Sequence, residues 1–349
     1  MVFLKKVAIV GGTGYGALEL MRFIEGHSHL QLKQIISQSQ HGTQLDDFYP
    51  HLTTFIEEPL HTYDVSNLKE NIDIVFFATP AGVTKQLISS FLDTTIQCID
   101  LSGDLRLSDR SSYRSWYGEE AAAQAILDRA VYGLSEIYGT EIKDSLICSN
   151  PGCFSTASLL GLIPAVQSEL IETDSIIIDG KTGVSGAGRK QSLMTHFSET
   201  NENVKPYKIG KHQHIPEIEQ YLTKEANSSV FINMTTHLIP MTRGLLCTMY
   251  GRLTSTISPE EVHEQYTKFY QSHPFVRIRP LGSFPATKEV YGSNFCDIAV
   301  HIDARTNQLI VISAIDNLVK GAAGQAIQNA NIMNNWPIEE GLKHIPIYP

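Results

Sequence analysis

Short apolar runs alternate with segments of helical hydrophobic spacing in the first part of the chain. Lys6 to Val10 is apolar and β-branched, and it runs into a glycine-rich segment, 11–17, that precedes a helical stretch. Further strands are predicted at 30–37, 72–77 and 97–101, each followed by a polar or glycine-containing turn. Strands that alternate with helices predict a parallel sheet, in which ligands bind beyond the carboxyl ends of the strands.

The apolar segments become longer after residue 150. Extended segments at 175–179, 230–238, 245–253, 295–302 and 309–314 predict strands, and helical spacing predicts helices at 153–167, 216–226, 259–270 and 316–335. Strands with few helical crossovers favour a mostly antiparallel sheet. We therefore predict an α/β protein in which a parallel-sheet domain is followed by an α+β domain with a mostly antiparallel sheet.

The segment 11–17 fits a dinucleotide-binding turn. Two registers are open: G-x-G-x-x-A from Gly12, Gly14 and Ala17, or G-x-x-G-x-x-A from Gly11, Gly14 and Ala17. An ordinary strand-to-helix turn is the alternative, but the flanking strand and helix favour a Rossmann-type nucleotide domain. Cofactor contacts are predicted at Gly11, Gly12, Thr13, Gly14, Tyr15, Gly16, Ser37, Gln38, Ser39, Thr79 and Pro80.

The end of the second strand bears on which dinucleotide binds. Ser37, Gln38 and Ser39 stand where an acidic residue would hold the ribose hydroxyl of NAD. These side chains can hydrogen-bond a 2′-phosphate, which favours NADP(H). No arginine is present there either, so the preference is modest.

Composition and charge narrow the class of protein. At roughly 150 residues per domain, 349 residues suggest about two domains. A net charge of −10 without a Lys/Arg block disfavours nucleic acid and anionic membranes as partners. Five cysteines without Cys-x-x-Cys spacing predict a reducing cytoplasm, and nothing at the start resembles a signal peptide. No zinc-ligand spacing is completed, so we predict no metal.

Cys153 follows a turn and stands where an apolar helix is predicted to begin. The unpaired amides and the dipole of a helix N-terminus favour an anion, so this thiol is expected to be more acidic than a free cysteine. The same amides can stabilise an oxyanion formed by attack on a carbonyl. On position alone, a small buried core thiol is nevertheless the favoured interpretation for Cys153. It is favoured more strongly for Cys98, Cys148 and Cys247, which lie in strand-like apolar runs.

A nucleophilic thiol needs a proton acceptor that can later donate, and histidine is the common choice. His212 and His214 lie just before a predicted helix, although metal ligands or a solvated turn are alternatives. His27, His29 and His263 are expected at exposed positions. Cations for a substrate anion are predicted in the glycine-rich segment 180–190, unless it is only a mobile surface loop, and at Arg106 and Arg243.

Seven motifs, in order along nearly the whole chain, together resemble the N-acetyl-gamma-glutamyl-phosphate reductase family of arginine biosynthesis. They occupy 11–20, 100–107, 132–136, 149–153, 185–189, 212–220 and 316–326. The resemblance implies an NADPH-dependent reduction of N-acetyl-L-glutamyl 5-phosphate to the 5-semialdehyde and phosphate through a thioester on Cys153. It also implies a mechanism related to those of aspartate-semialdehyde and glyceraldehyde-phosphate dehydrogenases.

The resemblance also implies roles for individual residues. His214 is the first choice for acid/base catalysis and His212 the second. Ser185, Gly186 and Asn317 are implied as further cofactor contacts. The residues implied to bind or orient the substrate are Arg106, Asn150, Arg189 and Glu217.

The family's terminal helix returns to the nucleotide domain. This implies an NADP-binding domain at 1–150 and 316–349, and a catalytic and oligomerisation domain at 151–315 of a homodimer or homotetramer. Two departures from relatives are the segment Tyr15-Gly16-Ala17 and the lack of an arginine near Ser37. The competing hypotheses are the sister reductase of carrier-protein lysine biosynthesis and a noncatalytic dinucleotide-binding regulator.

Overall fold

The computed structural model describes residues 4–56 and 59–349, which divide between two compact units. The first unit comprises the chain up to Pro151 together with Ala322–Lys343, and the second comprises Gly152–Gly321 with His344–Pro349. Asp316 and Asn317, which we expected in the nucleotide domain, pack with the second unit because their side chains bond to backbone amides there.

A seven-stranded sheet with parallel pairing throughout forms the centre of the first unit. Its strand order is β3-β2-β1-β4-β5-β7-β6, and the strands are β1 (Lys5–Val10), β2 (Leu30–Ile36), β3 (Leu60–His61), β4 (Ile74–Phe77), β5 (Gln97–Asp100), β6 (Ala130–Tyr132) and β7 (Ile147–Ser149). The predicted parallel sheet is confirmed. We did not predict β3, β6 and β7, because two or three residues are too few to show a periodicity.

The second unit also contains a seven-stranded sheet, of order β12-β13-β14-β11-β8-β10-β9. The strands are β8 (Ile176–Thr182), β9 (Lys205–Tyr207), β10 (Ile232–Leu238), β11 (Leu245–Arg252), β12 (Val276–Ile278), β13 (Cys296–Asp303) and β14 (Gln308–Ile315). Only the pairs β8–β10 and β12–β13 are parallel. The predicted α+β unit with a mostly antiparallel sheet is therefore confirmed.

Helices pack against both sheets. The α-helices are α1 (Tyr15–Glu25), α2 (Val65–Asn71), α3 (Thr84–Leu87), α4 (Arg110–Tyr117), α5 (Gln124–Leu127), α6 (Ser135–Lys143), α7 (Cys153–Gln167), α8 (Phe197–Thr200), α9 (His214–Ala226), α10 (Pro259–Tyr270) and α11 (Gly324–Met333). Short 3-10 helices occur at Leu45–Asp47, Pro50–Leu52, Ile88–Phe91, Val184–Ala187, Leu193–Thr195 and Thr287–Val290. Within the described residues, no helix has both the length and the apolar character needed to cross a membrane.

The single helix predicted at 316–335 is wrong in its first part. A π-helix at Val319–Ala323 precedes α11. The Asp316 carboxylate accepts the amides of Leu318 (2.9 Å) and Val319 (3.3 Å), so the chain turns before the helix begins. Such side-chain to backbone bonds compete with helix formation.

The amide side chains of α11 are buried and bind the first unit from within. Gln325, Gln328, Asn329 and Asn331 are all fully buried. Asn329 Nδ2 donates to the Gly133 carbonyl at 2.8 Å and to Asn150 Oδ1 at 3.0 Å. Since a buried polar group is costly unless it is hydrogen-bonded, α11 fixes the conformation of the segment that ends at Asn150.

The turn between β1 and α1 depends on two glycines. Gly11 has φ +92°, and a Cβ there would lie 2.5 Å from the Ala78 carbonyl oxygen. A Cβ on Gly12 would overlap Ile35 Cγ2. Gly14 caps α1 and Ala17 is fully buried, as both registers require, and the turn needs glycine at both position 11 and position 12.

His27 contradicts our expectation of an exposed loop position. It is only 5% exposed, and its Nε2 bonds to Asn331 Oδ1 at 2.9 Å. Trp336 packs beside its ring at 5.5 Å, so the end of the chain covers it. Burial lowers the pKa of His27. Nothing in the sequence around residue 27 indicates that Asn331 and Trp336, about 300 residues further along the chain, pack on this histidine.

We predict that Gly12→Ala destabilises the protein by about 1–3 kcal/mol, because its methyl group would overlap the buried side chain of Ile35. Gly16→Ala is the matched control, since a Cβ at Gly16 meets nothing within 4 Å. In a helix this change is neutral or stabilising. Urea unfolding of both variants measures the difference, and equal stabilities would contradict the packing argument.

Candidate active site

Cys153 differs from the other four cysteines in its exposure. It is partly exposed, whereas Cys98, Cys148, Cys247 and Cys296 are buried. Burial raises the pKa of the Cys98 and Cys148 thiols far above the usual range, and that of Cys247 to about 12. Cys153 is therefore the cysteine that a solute can reach.

Cys153 is the first residue of α7, and Gly152 is the N-cap. The rest of α7 is largely apolar and buried. Pro164 inside this helix has no amide for the carbonyl of Leu160, and the Tyr270 hydroxyl on α10 donates to that carbonyl instead, at 2.5 Å. The helix that carries Cys153 is thus fixed by the core around it.

The start of α9 packs against the residue before Cys153. Glu217 is fully buried, and its Oε1 accepts the amide of Gly152 at 2.9 Å. The imidazole of His214 fills the space that a Cβ on Gly152 would occupy. Glycine is therefore required at position 152, and the fold brings the predicted residues Cys153, His214 and Glu217 together.

His212 has a different environment from His214. It is 7% exposed, and its Nδ1 accepts the backbone amide of His214 at 3.1 Å. This bond assigns the ring proton of neutral His212 to Nε2. Burial, followed by the charges of His214 and Lys208, lowers the pKa of His212 to about 2. His212 therefore stays neutral at physiological pH.

Two loops of the second unit are joined by Asn317. Its Oδ1 accepts the amide of Gly244 at 2.8 Å, and its Nδ2 donates to Ser185 Oγ at 3.0 Å. Ser185 is buried and Gly186 exposed. Of the residues we predicted as cofactor contacts, Ser185 and Asn317 are thus in direct contact.

The glycine-rich segment 180–190 is only partly a loop. Gly180 to Thr182 end strand β8, and Lys181 Nζ bonds to Asp179 Oδ2 at 2.5 Å on that strand. Lys181 therefore does not belong to an anion-binding loop. Arg189 lies beyond the 3-10 helix at Val184–Ala187 and is exposed.

Arg106 and Asn150 meet in the first unit. Arg106 is 7% exposed, and it donates to the carbonyls of Asn150 (Nε, 2.9 Å) and Leu101 (Nη2, 3.0 Å). The Asn150 side chain donates to the carbonyl of Ala322 at 3.0 Å. Both residues therefore stabilise the strand end that leads to Pro151.

The predicted nucleotide contacts of the first unit follow neighbouring strands. The glycine turn follows β1, Ser37 follows β2, and Thr79 follows β4, and these strands are adjacent in the sheet. No side chain caps α1, and Gly11 and Gly12 leave no room for a Cβ, so the backbone forms a cradle at a helix N-terminus. This arrangement fits the pyrophosphate of a dinucleotide.

Sequence reasoning missed Tyr49, whose hydroxyl donates to the carbonyl of Thr13 at 2.9 Å and supports the same turn. Tyr49 precedes a 3-10 helix in a segment without periodicity, so no sequence signal identified it. Asn329 was also missed, although a polar residue within an otherwise buried helical pattern is a usable signal.

Solved structures of semialdehyde dehydrogenases have the same fold. Aspartate semialdehyde dehydrogenase II of Vibrio cholerae, complexed with ASA, superimposes with a TM-score of 0.70 at 16% identity, over 95% of this chain and 98% of that chain. The enzyme of Candida albicans with NADP has a TM-score of 0.69 at 14% identity, over 95% and 98% of the two chains.

Sequence comparisons identify the family. The semialdehyde dehydrogenase NAD binding domain matches residues 6–145, and the semialdehyde dehydrogenase dimerisation domain matches residues 153–317. The N-acetyl-gamma-glutamyl-phosphate reductase of Oceanobacillus iheyensis is 58% identical over 99% of this chain and 100% of the relative. That of Bacillus subtilis is 50% identical over 99% and 100%. The chain therefore belongs to the N-acetyl-gamma-glutamyl-phosphate reductase family.

Proposed function

We propose that Cys153 is the nucleophile with which this chain reduces N-acetyl-L-glutamyl 5-phosphate to N-acetyl-L-glutamate 5-semialdehyde and phosphate. The observation that carries the proposal is the position of Cys153. It is partly exposed at the N-terminus of a buried helix, with the His214 ring and the Glu217 carboxylate against the preceding glycine.

The chemistry of a thiolate suits this reaction. The Cys153 sulfur attacks the acyl carbon, a carbon–sulfur bond forms, and the bond to the phosphate oxygen breaks as phosphate leaves. The amides in the first turn of α7 stabilise the oxyanion of this step. The carbon–sulfur bond breaks once the carbonyl carbon has been reduced, and the thiolate is regenerated.

The residues of the first unit are proposed to hold NADP(H), which supplies the hydride when bound. Gly11 to Gly16 and the N-terminus of α1 would bind the pyrophosphate, and Thr79 and Pro80 lie beside them after β4. Ser37, Gln38 and Ser39, after β2, would bond the 2′-phosphate. Ser185, Gly186 and Asn317 are proposed as the contacts from the second unit.

His214 is proposed as the acid/base residue, and His212 as the group that positions it. His214 has its ring against Gly152, next to the nucleophile. His212 uses Nδ1 to accept the His214 amide, and its low pKa keeps it from taking up a proton. This difference supports His214 in the choice that the sequence left open.

The proposed substrate contacts divide by environment. The buried Glu217 carboxylate accepts a hydrogen bond from the Gly152 amide, which supports a role in orienting the residues next to Cys153. Arg106 and Asn150 support the strand end before the nucleophile, and Arg189 is exposed. Direct binding of the substrate anion by Arg106, Asn150 and Arg189 stays a prediction.

We propose a homodimer or homotetramer that assembles through the open face of the second sheet. Strands β8 and β10 alternate buried and more exposed residues, and Ile177 on the open face is 46% exposed. The match to a dimerisation domain over 153–317 supports this surface. The five cysteines and the acidic charge support a cytoplasmic enzyme that binds no nucleic acid.

We expect the purified protein to reduce NADP⁺ with N-acetyl-L-glutamate 5-semialdehyde only when phosphate or arsenate is present. Cys153→Ser should lower this rate by more than about 10³-fold, since the thioester cannot form. The rate is followed by NADPH absorbance, and a parallel assay with NAD⁺ measures the cofactor preference.

Cys98→Ser is the control for this experiment, because Cys98 is a buried core thiol and its variant should keep phosphate-dependent activity per folded molecule. Full turnover by Cys153→Ser would refute the nucleophile. Equal rates without phosphate or arsenate would instead indicate an ordinary hydrolytic aldehyde dehydrogenase.

The two histidines should differ in their effect on the pH profile. His214→Gln should lower kcat by about 10²–10⁴-fold and change the pH profile of kcat, because the acid/base group is removed. His212→Gln can still accept the His214 amide through its side-chain oxygen. It should keep the wild-type pH profile, because a group with a pKa of about 2 does not titrate near neutral pH. A pH profile that changes in His212→Gln alone would reverse the assignment.

Substitutions at Glu217 should separate its hydrogen bond from its charge. Glu217→Leu leaves the buried Gly152 amide without an acceptor, which should cost about 1–3 kcal/mol of unfolding free energy and lower kcat. Glu217→Gln keeps an acceptor and should preserve both quantities far better. If Glu217→Gln lowers kcat as much as Glu217→Leu but keeps the wild-type stability, the reaction requires the charge of Glu217.

A further inference from the structure

Arg243 lies on a loop whose backbone is held firmly. Three backbone hydrogen bonds of 2.9–3.1 Å join residues 241–244 to 183–185. Gly244 has φ +112°, and a Cβ there would lie 2.7 Å from Thr287 Cβ, so the residue after Arg243 must be glycine. The Arg243 side chain is therefore presented from a rigid support.

A buried carboxylate orients the Arg243 guanidinium. Asp316 is fully buried, and its oxygens accept the amides of Gly292 (2.8 Å), Leu318 (2.9 Å) and Val319 (3.3 Å). The Arg243 Nη1 to Asp316 Oδ2 distance is 3.5 Å, longer than a charge-assisted bond of about 2.7–2.9 Å. The pair orients the cation, and the Arg243 side chain keeps 19% exposure.

The same segment places Arg243 close to the nucleophile. The carbonyl of Asp316 accepts the amide of Gly321 at 3.0 Å. A Cβ on Gly321 would lie 2.7 Å from Cys153 Cβ, so Gly321 packs directly on the nucleophile. Two residues, Asp316 and Gly321, thus link Arg243 to Cys153 within a single compact unit.

Three other cations, Lys320, Arg106 and Arg189, have surroundings different from those of Arg243. Lys320 is fully buried, with its ammonium 5.8 Å from the Phe275 ring. Arg106 donates to two carbonyls, and Arg189 is an exposed loop residue. Arg243 combines a fixed support, partial exposure and closeness to Cys153.

We propose that Arg243 binds the α-carboxylate of the substrate and so selects an N-acetylated amino acid over a simple aldehyde or acyl phosphate. The inference rests on the proposed function of Cys153. The planar guanidinium matches a carboxylate through two parallel hydrogen bonds. In the substrate the α-carboxylate is three carbons from the reacting carbonyl, whereas the phosphate is bonded to that carbonyl. A cation that is linked to Cys153 through Asp316 and Gly321, and does not contact it directly, therefore suits the more distant carboxylate.

The test compares two aldehydes that differ only in this group. Wild-type protein and the variants Arg243→Lys and Arg243→Met are assayed with N-acetyl-L-glutamate 5-semialdehyde and with 4-acetamidobutanal, which lacks the carboxylate. Arg243→Met should lower kcat/KM for the first aldehyde by about 10–100-fold, mainly through KM. It should leave kcat/KM for the second aldehyde and the KM for phosphate nearly unchanged. For Arg243→Lys, kcat/KM with the first aldehyde should lie between the values of the wild type and of Arg243→Met.

Arg277→Met is the matched control. Arg277 also pairs with a fully buried aspartate, Asp297, at 2.5 Å and lies over an aromatic ring at 4.2 Å in the same unit. Its loss should leave the ratio of kcat/KM between the two aldehydes intact. Circular dichroism identifies variants that do not fold, and Arg243→Lys then carries the test.

The outcomes separate this inference from the proposed function. An unchanged ratio between the aldehydes in a folded Arg243 variant would overturn the inference, and so would a raised KM for phosphate. If wild-type protein shows no phosphate-dependent turnover, the proposed function itself fails. A ratio that collapses in the Arg243 variants and persists in Arg277→Met supports the inference.

Discussion

The second unit depends on one close contact, that of α9 with the first turn of α7 at Gly152. The amide of Gly152 needs an acceptor because it lies at a buried helix N-terminus, and the Glu217 carboxylate needs a donor because it is fully buried. Each group satisfies the other, and the His214 ring fills the space left by the missing side chain. The same interaction therefore packs α7 against α9 and positions Cys153.

Much of the architecture follows from local pattern. The bounds predicted for α7 and α10 agree with the structure. A turn precedes Cys153 at the start of α7, and a serine caps α10, which begins with a proline. The strands β9 and β12 escaped notice because three-residue strands are formed by tertiary pairing. The π-helix at Val319–Ala323 was missed because it depends on bonds from the Asp316 side chain.

The candidate site was predictable in its residues more than in their roles. The helix start after a turn made Cys153 a candidate, and the family resemblance selected it as the nucleophile. The roles of His212 and His214 could not be separated, since the difference arises from one backbone hydrogen bond and from burial. The glycine-rich segment 180–190 was predicted as a loop whose cations hold a substrate anion, but Lys181 lies on strand β8 beside Asp179. The role of each side chain depends on the groups that it contacts, and the fold determines those contacts.

The exposure of the cysteines has a practical consequence. Four thiols are enclosed by the cores of the two units, and three of these have a pKa raised by burial. A thiol-directed electrophile in solution therefore meets one accessible thiol per native chain, that of Cys153. The number of equivalents consumed by a thiol reagent counts competent sites in a preparation, and any excess over one reports molecules that have begun to open.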